Sequence, residues 1–109
     1  MIDLFHVKRG EIIVIERNDA FSFSVGKLKM MVCFDTVVDM HSTYYFCSSI
    51  FVIGWSGVFY ANGRFSADLS VSHVRKPTPA EMFQIGDVLR QHGYRYNRKT
   101  KQLTKINVG

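Results

Sequence analysis

The chain has 109 residues, enough for one domain around one hydrophobic core. It is 47% apolar and 21% charged, near globular averages, which excludes a disordered tail or a collagen-like fibre, and two cysteines are too few for a disulfide scaffold. Fourteen Lys and Arg against nine Asp and Glu give +5, and fifteen aromatics (9 Phe, 5 Tyr, 1 Trp) accompany that charge.

The opening Met1-Ile2-Asp3-Leu4-Phe5-His6 lacks the basic, apolar and small-residue regions of a signal peptide, and a cytoplasmic protein is expected. Residues 11–16 (EIIVIE) form a short β-branched strand. Arg17-Asn18-Asp19-Ala20 is a turn, residues 21–25 alternate with period two, and Gly26-Lys27 breaks the pattern. Strands follow over 28–38 and 43–53. The uncharged run 40–63 holds too many Ser, Thr and Gly for a membrane helix, so buried strands are expected and no membrane partner. Cys33 and Cys47 sit among apolar neighbours, as two buried free thiols or as a bridge between adjacent strands.

Gly54-Trp55-Ser56-Gly57 is a glycine-bounded turn. Residues 58–61 and 64–67 then flank Asn62-Gly63, the dipeptide of a type I′ hairpin turn, which needs positive φ twice. Short strands at this spacing predict a β-rich α+β fold, either a small SH3-like barrel or a curled antiparallel sheet. One helix and a C-terminal β-hairpin complete it. Thr78 is the helix N-cap, Pro79 the first helical residue and Glu81 the partner of a capping box. Met82, Phe83, Ile85, Gly86 and Leu89 form its apolar stripe, and Gly93 ends it. Residues 94–97 and 102–106 make the hairpin, with Arg95, Asn97, Lys101, Leu103 and Lys105 expected on one mostly basic face.

Charge divides the chain in two. Residues 1–74 carry six bases and seven acids, a net −1, whereas residues 75–109 carry eight bases and two acids, a net +6. The division predicts a nearly neutral β-rich body and a basic helix–hairpin appendix within one domain.

Arg75-Lys76-Pro77-Thr78-Pro79-Ala80-Glu81, Val88-Leu89, Gly93-Tyr94-Arg95-Tyr96-Asn97, Thr100-Lys101 and Leu103-Thr104-Lys105-Ile106 carry a resemblance. Together they resemble the C-terminal signature of small uncharacterised proteins of bacteriophages and prophages of gut Bacteroidetes. The opening Lys8-Arg9-Gly10-Glu11-Ile12-Ile13 is similar in outline to the first strand of those proteins. Two positions depart from the pattern: Ala80, where an acid is usual, and Tyr96, where Trp is common. The resemblance implies a phage or prophage origin and a β-barrel-like core with a helix–hairpin appendix. It implies no activity.

Local motifs for catalysis or metal binding are lacking. His6, His41, His73 and His92 are isolated, without zinc spacing, so no metal and no cofactor is expected. Gly54-Trp55-Ser56-Gly57 falls one residue short of a nucleophile elbow and has no helix after it. Asp35 and Asp39 suit a solvated strand end better than a carboxylate pair. No catalytic residue is assigned, and binding is the expected role. Arg64, Arg75, Arg95, Arg98 and Lys99 are the candidate phosphate ligands, and Tyr45, Trp55, Tyr60, Tyr94 and Tyr96 the candidate stacking faces. An anionic small molecule, above all a nucleotide, fits this set, with homo-oligomers able to place pockets between subunits. In its sharpest form the protein is a sponge for a nucleotide immune signal, a cyclic oligonucleotide or an ADP-ribose derivative. The alternatives are a nucleic-acid-binding module or an antagonist of an acidic host protein, using the same basic face.

Overall fold

The computed structural model describes residues 4–17 and 28–106. The expected turn beyond Arg17, the alternating strand at 21–25 and the break at 26–27 lie outside the described residues. A 3-10 turn, Leu4–His6, leads into strands β1 (Ile12–Arg17), β2 (Lys29–His41), β3 (Tyr44–Ile53), β4 (Phe59–Ala61), β5 (Arg64–Asp68) and β6 (Ser72–Arg75). Helix α1 (Pro79–Gln91) and strands β7 (Tyr94–Asn97) and β8 (Gln102–Lys105) follow.

The first six strands form one antiparallel sheet in the order β4-β3-β2-β1-β6, with β5 also on β3; β7 and β8 form a separate hairpin. Of the two expected architectures, the curled sheet is the one found. Register shifts between Cys33 and Phe34, Phe34 and Thr36, and Val37 and Asp39 bend β2 against β3. The outer strands β4 and β6 do not pair, so no barrel closes.

Both faces of the sheet need cover, because the runs EIIVIE and MMVCF are apolar at consecutive positions. Ile13, Ile15, Met30, Val32 and Phe34 point to one face, where the sheet curls over them with Leu4, Val7, Phe65 and Ala67. Val14, Met31, Cys33, Phe51 and Ile53 point to the other, which α1 covers with Ile85 and Leu89 and the hairpin with Tyr94, Tyr96 and Leu103. Cys33 and Cys47 therefore lie in cores on opposite faces, both buried and both free thiols. The bridge alternative falls away.

Asn62-Gly63 is not the hairpin turn. Strands β4 and β5 both pair with β3 in a single register, from Ile53↔Phe59 to Tyr44↔Asp68. Between them Asn62 N donates to Ile50 O (2.8 Å) and Ser49 N to Gly63 O (2.9 Å), so the two are one strand with a kink at Asn62 (φ +54°). The chain reverses instead at Gly54-Trp55-Ser56-Gly57, where Gly54 N donates to Val58 O at 2.9 Å and Gly57 takes φ +84°. Two glycine-bearing segments offered positive φ, and the length of β3 lets it pair with the chain on both sides of the second. Gly63 meets a steric demand there: a Cβ would stand 3.0 Å from Tyr60 Cβ and 3.2 Å from Val52 Cγ1.

Helix α1 starts as its sequence dictates. Glu81 N donates to Thr78 Oγ1 (3.2 Å) and Thr78 N to Glu81 Oε1 (2.8 Å), a complete capping box. The apolar stripe needs one correction: Phe83 is 77% exposed. It stands two residues from Ile85, about 200° around the helix, and so faces away from the sheet. Glu81, Ile85 and Leu89 form the buried face, with Met82 and Val88 beside it.

The Glu81 carboxylate fastens this helix. It accepts from Arg75 Nη1 (2.7 Å) and Nη2 (2.8 Å) and from Lys29 Nζ (2.8 Å), while Arg75 Nε reaches Glu16 (2.7 Å). Those cations hold the Glu81 carboxyl well below the usual carboxylate range against the opposing effect of burial. A depressed folded pKa stabilises the protein above the ordinary glutamate pKa of about 4.3, and the contribution fades as pH falls below it. Glu81→Gln should thus cost about 3 kcal/mol in urea unfolding at pH 7, by unpairing a largely buried Arg–Glu contact. The gap to wild type should narrow steadily below pH 4; a gap constant with pH would refute the role of the charge. On the same helix Leu89→Ala should cost about 2–5 kcal/mol, whereas Phe83→Ala should stay within about 0.5 kcal/mol of wild type.

Candidate anion-binding cleft

The appendix and the body meet at Gly10. Glu11 N donates to Lys8 O (3.1 Å), closing a turn with Gly10 in its third position at φ +91°, where a type II turn requires positive φ. Gly10 O accepts from Tyr96 Oη (2.8 Å) on β7 and from Cys33 Sγ (3.6 Å) on β2. The Lys101 stem lies across the glycine: a Cβ on Gly10 would stand 2.6 Å from Lys101 Cγ and 2.7 Å from Cδ. The hairpin turn that delivers Lys101 is built by Asn97, whose Oδ1 accepts from Lys99 N (2.9 Å) and Thr100 N (3.2 Å). Lys101 itself takes φ +57°, a conformation that glycine or asparagine usually fills.

Beside this contact lies an open cleft of about 500 Å³. The 8–12 segment forms one wall, Lys76, Pro77 and Met82 another, and Arg98 and Lys101 of the hairpin turn the third. Five cations line it (Lys8, Arg9, Lys76, Arg98 and Lys101) against one carboxylate, Glu11. Arg9 pairs with Asp35 at 3.1 Å. The other four cations have no ion-pair partner among the described residues. Ile12, Pro77 and Met82 add apolar surface. This arrangement can hold an anion by charge and by lysine and arginine donors without changing it chemically.

The ten residues predicted for binding scatter. Arg98 and Tyr96 reach this region, but Tyr96 is held by its hydroxyl on Gly10 and its ring packs edge-on against Phe51. Burial and the neighbouring Cys33 push the Tyr96 phenol up, so it stays a donor. Arg75 is engaged by Glu16 and Glu81. Arg95 and Lys99 line the open face of the hairpin, outside the cleft. Arg64 borders an apolar hollow with Val38, Phe46 and Phe65. Tyr45 packs against Phe5 and Tyr94 against Phe59. Trp55 packs on the first core under the Arg17 guanidinium, and Tyr60 is exposed on β4.

The hairpin's expected basic face is also redrawn. Cross-strand partners share a face, so Tyr94, Tyr96, Leu103 and Lys105 go together and Arg95, Asn97, Gln102 and Thr104 make up the other. The turn between the strands sets a register that charge pattern alone does not reveal. Lys8, Arg9, Lys76 and Lys101 line the cleft and are not among the candidate phosphate ligands read from the sequence, because the docking of the hairpin on the body brings them together. The local signal for them was the Lys8-Arg9-Gly10 turn ahead of a strand.

Among the described residues, no group of three His, Cys, Asp or Glu could hold a metal ion, and no helix is long and apolar enough to cross a membrane. Asp35 and Asp39 have separate partners, Arg9 with Ser48 and His41 respectively. The glycine-bounded turn at Trp55 joins two antiparallel strands, not a strand and a helix. No family model, curated protein or solved structure matches the chain.

Burial pushes the Cys33 and Cys47 thiols up to about 11. Both should resist a thiol reagent in the native protein at pH 8 and react at once in denaturant; rapid native labelling would contradict their burial. Gly10→Ala should cost about 1–2 kcal/mol, through the positive φ and the displaced Lys101 and Tyr96, as read by chemical denaturation.

Proposed function

We propose that the protein captures a phosphate-bearing small molecule, a nucleotide above all, in the cleft between body and appendix, and releases it unchanged. The observation that carries this reading is the set of four cations, Lys8, Lys76, Arg98 and Lys101, gathered from three chain segments without an ion-pair partner among the described residues. Like charges repel one another, and a fold that holds them together is stabilised by an anion placed among them. The unusual backbone of Lys101 supports the same reading. Turns of this kind place glycine in positive φ at little cost, yet here a lysine occupies the position and directs its stem over Gly10 toward the cleft.

The resemblance to phage and prophage proteins gives the reading its sharper form. A small non-catalytic sponge would sequester a nucleotide signal of host immunity in the cytoplasm, alone or as a homo-oligomer. A second reading is favoured by the open face of the hairpin, where Arg95, Arg98 and Lys99 are presented together: contact with a nucleic-acid backbone.

Incubation with mono-, di- and cyclic nucleotides and ADP-ribose derivatives, removal of free ligand and heating should release one of them intact, as identified by mass spectrometry. Release of a converted product would make the protein an enzyme, and no retention at micromolar protein would sink the capture reading. Lys101→Gly keeps the turn and removes the ammonium, so it should fold with a stability within about 1 kcal/mol of wild type and retain less ligand. Gel shifts that vanish steeply with salt, with no nucleotide retained, would favour the nucleic-acid reading instead.

A further inference from the structure

We infer that the cleft recognises a diphosphate group, and that it reads the phosphates of its ligand and not the base. The inference rests on the capture reading and specifies its ligand.

Charge supports two phosphates over one. The five cations are offset by Glu11 on the cleft wall and by Asp35 on Arg9, leaving an excess of three positive charges. One terminal phosphate carries about −1.5 to −2 at neutral pH. A single group leaves the cleft under-neutralised, and two adjacent groups come closest to matching it.

Placement points the same way. The cations do not converge from one loop: Lys8 and Arg9 precede β1, Lys76 lies in the linker between β6 and α1, and Arg98 and Lys101 belong to the hairpin turn. A cleft of about 500 Å³ exceeds what one phosphate fills, and cations supplied by three segments suit a group that needs donors on more than one side.

Aromatic geometry argues against base reading. Among the described residues no aromatic side chain lines the cleft; Tyr96, which reaches Gly10 there, is half-buried, fixed through its hydroxyl to Gly10 O and packed edge-on against Phe51 with ring centroids 5.6 Å apart. Tyr60 and Trp55, two of the five candidates for stacking, lie on other parts of the sheet, with Trp55 packed on the opposite core. A base seated near the phosphates meets Ile12, Pro77 and Met82, apolar surfaces without a hydrogen-bonding code.

The test is a calorimetric titration of the full chain at 0.15 M salt with orthophosphate, pyrophosphate, adenosine, ADP, GDP and a short single-stranded oligonucleotide. Pyrophosphate, ADP and GDP should bind within about tenfold of one another, orthophosphate about tenfold or more weaker, and adenosine not detectably, since the cations of the cleft supply most of the attraction. Lys76→Ala combined with Lys101→Gly should weaken pyrophosphate by about tenfold or more. Arg90→Ala, which removes one cation from the exposed face of α1, should leave it unchanged. Adenosine binding as well as ADP, orthophosphate equalling pyrophosphate, an indifferent Lys76 and Lys101 variant, or an oligonucleotide outcompeting pyrophosphate would each overturn the inference. Retention of nucleotides that lack a diphosphate, with pyrophosphate inert, would leave capture standing and remove this inference. No binding by any of the phosphate compounds would remove the capture reading itself, and this inference with it.

Discussion

The Glu81 carboxylate is the constraint on which the architecture turns. Helix α1 has one apolar stripe, and the sheet face it must cover is apolar at Val14, Met31, Cys33, Phe51 and Ile53. Burial alone sets no rotation or height for the helix on that face. Glu81 sets both. As the N3 residue it closes the capping box on Thr78, and through Arg75 and Lys29 it ties the first helical turn to β6 and β2. Arg75 also reaches Glu16 on β1, so three strands and the helix share one network. A carboxylate this buried is tolerated because two cations and a backbone N–H satisfy it at once; a single partner would leave desolvation unmatched.

The network also decides what the surface can offer. The appendix is basic by composition, but Arg75 faces inward to carboxylates and Arg90 is paired with Asp87. What remains near the junction is Lys76, Arg98 and Lys101, and the body adds Lys8 and Arg9. Net charge therefore described the region correctly and its chemistry only partly. A cation's value to a ligand depends on whether the fold has already neutralised it, and that depends on partners such as Glu81 and Lys29, 52 residues apart in the chain.

Local physics was legible from residues. The capping box, the glycine stop at Gly93 (φ +77°) and the strands through the first core all rest on neighbours within a few positions. Errors arose where two local signals competed or where a distant partner decided. Asn62-Gly63 and Gly54 to Gly57 both offered a turn, and the pairing register of β3 selected the second. Phe83 has the composition of a core residue and the helical phase of a solvent one. The face of the hairpin that carries Arg95 is set by the pairing of Tyr94 with Lys105, a one-residue matter that inverts every side chain. The candidate cleft was least legible, because its walls come from the first strand, the linker before α1 and the last turn. The docking of the hairpin, by Tyr96 on Gly10 and by Tyr94, Tyr96 and Leu103 on the second core, brings them together.

On the capture reading, that docking would couple stability to binding. Gly10 can carry no Cβ, since Lys101 and Tyr96 occupy the space, and Lys101 sits in positive φ with its stem on Gly10. The same contact thus joins hairpin to body and positions one of the unpaired cations. An anion that drew Lys101 and Lys8 together would tighten the hairpin on the turn below it, and loosening the hairpin would disperse the charges that attract the anion. Ligand affinity and hairpin docking would then share one coupling free energy, equal in both directions. On that reading the contact at Gly10 would serve both ends, joining hairpin to body and placing the Lys101 cation beside the cleft.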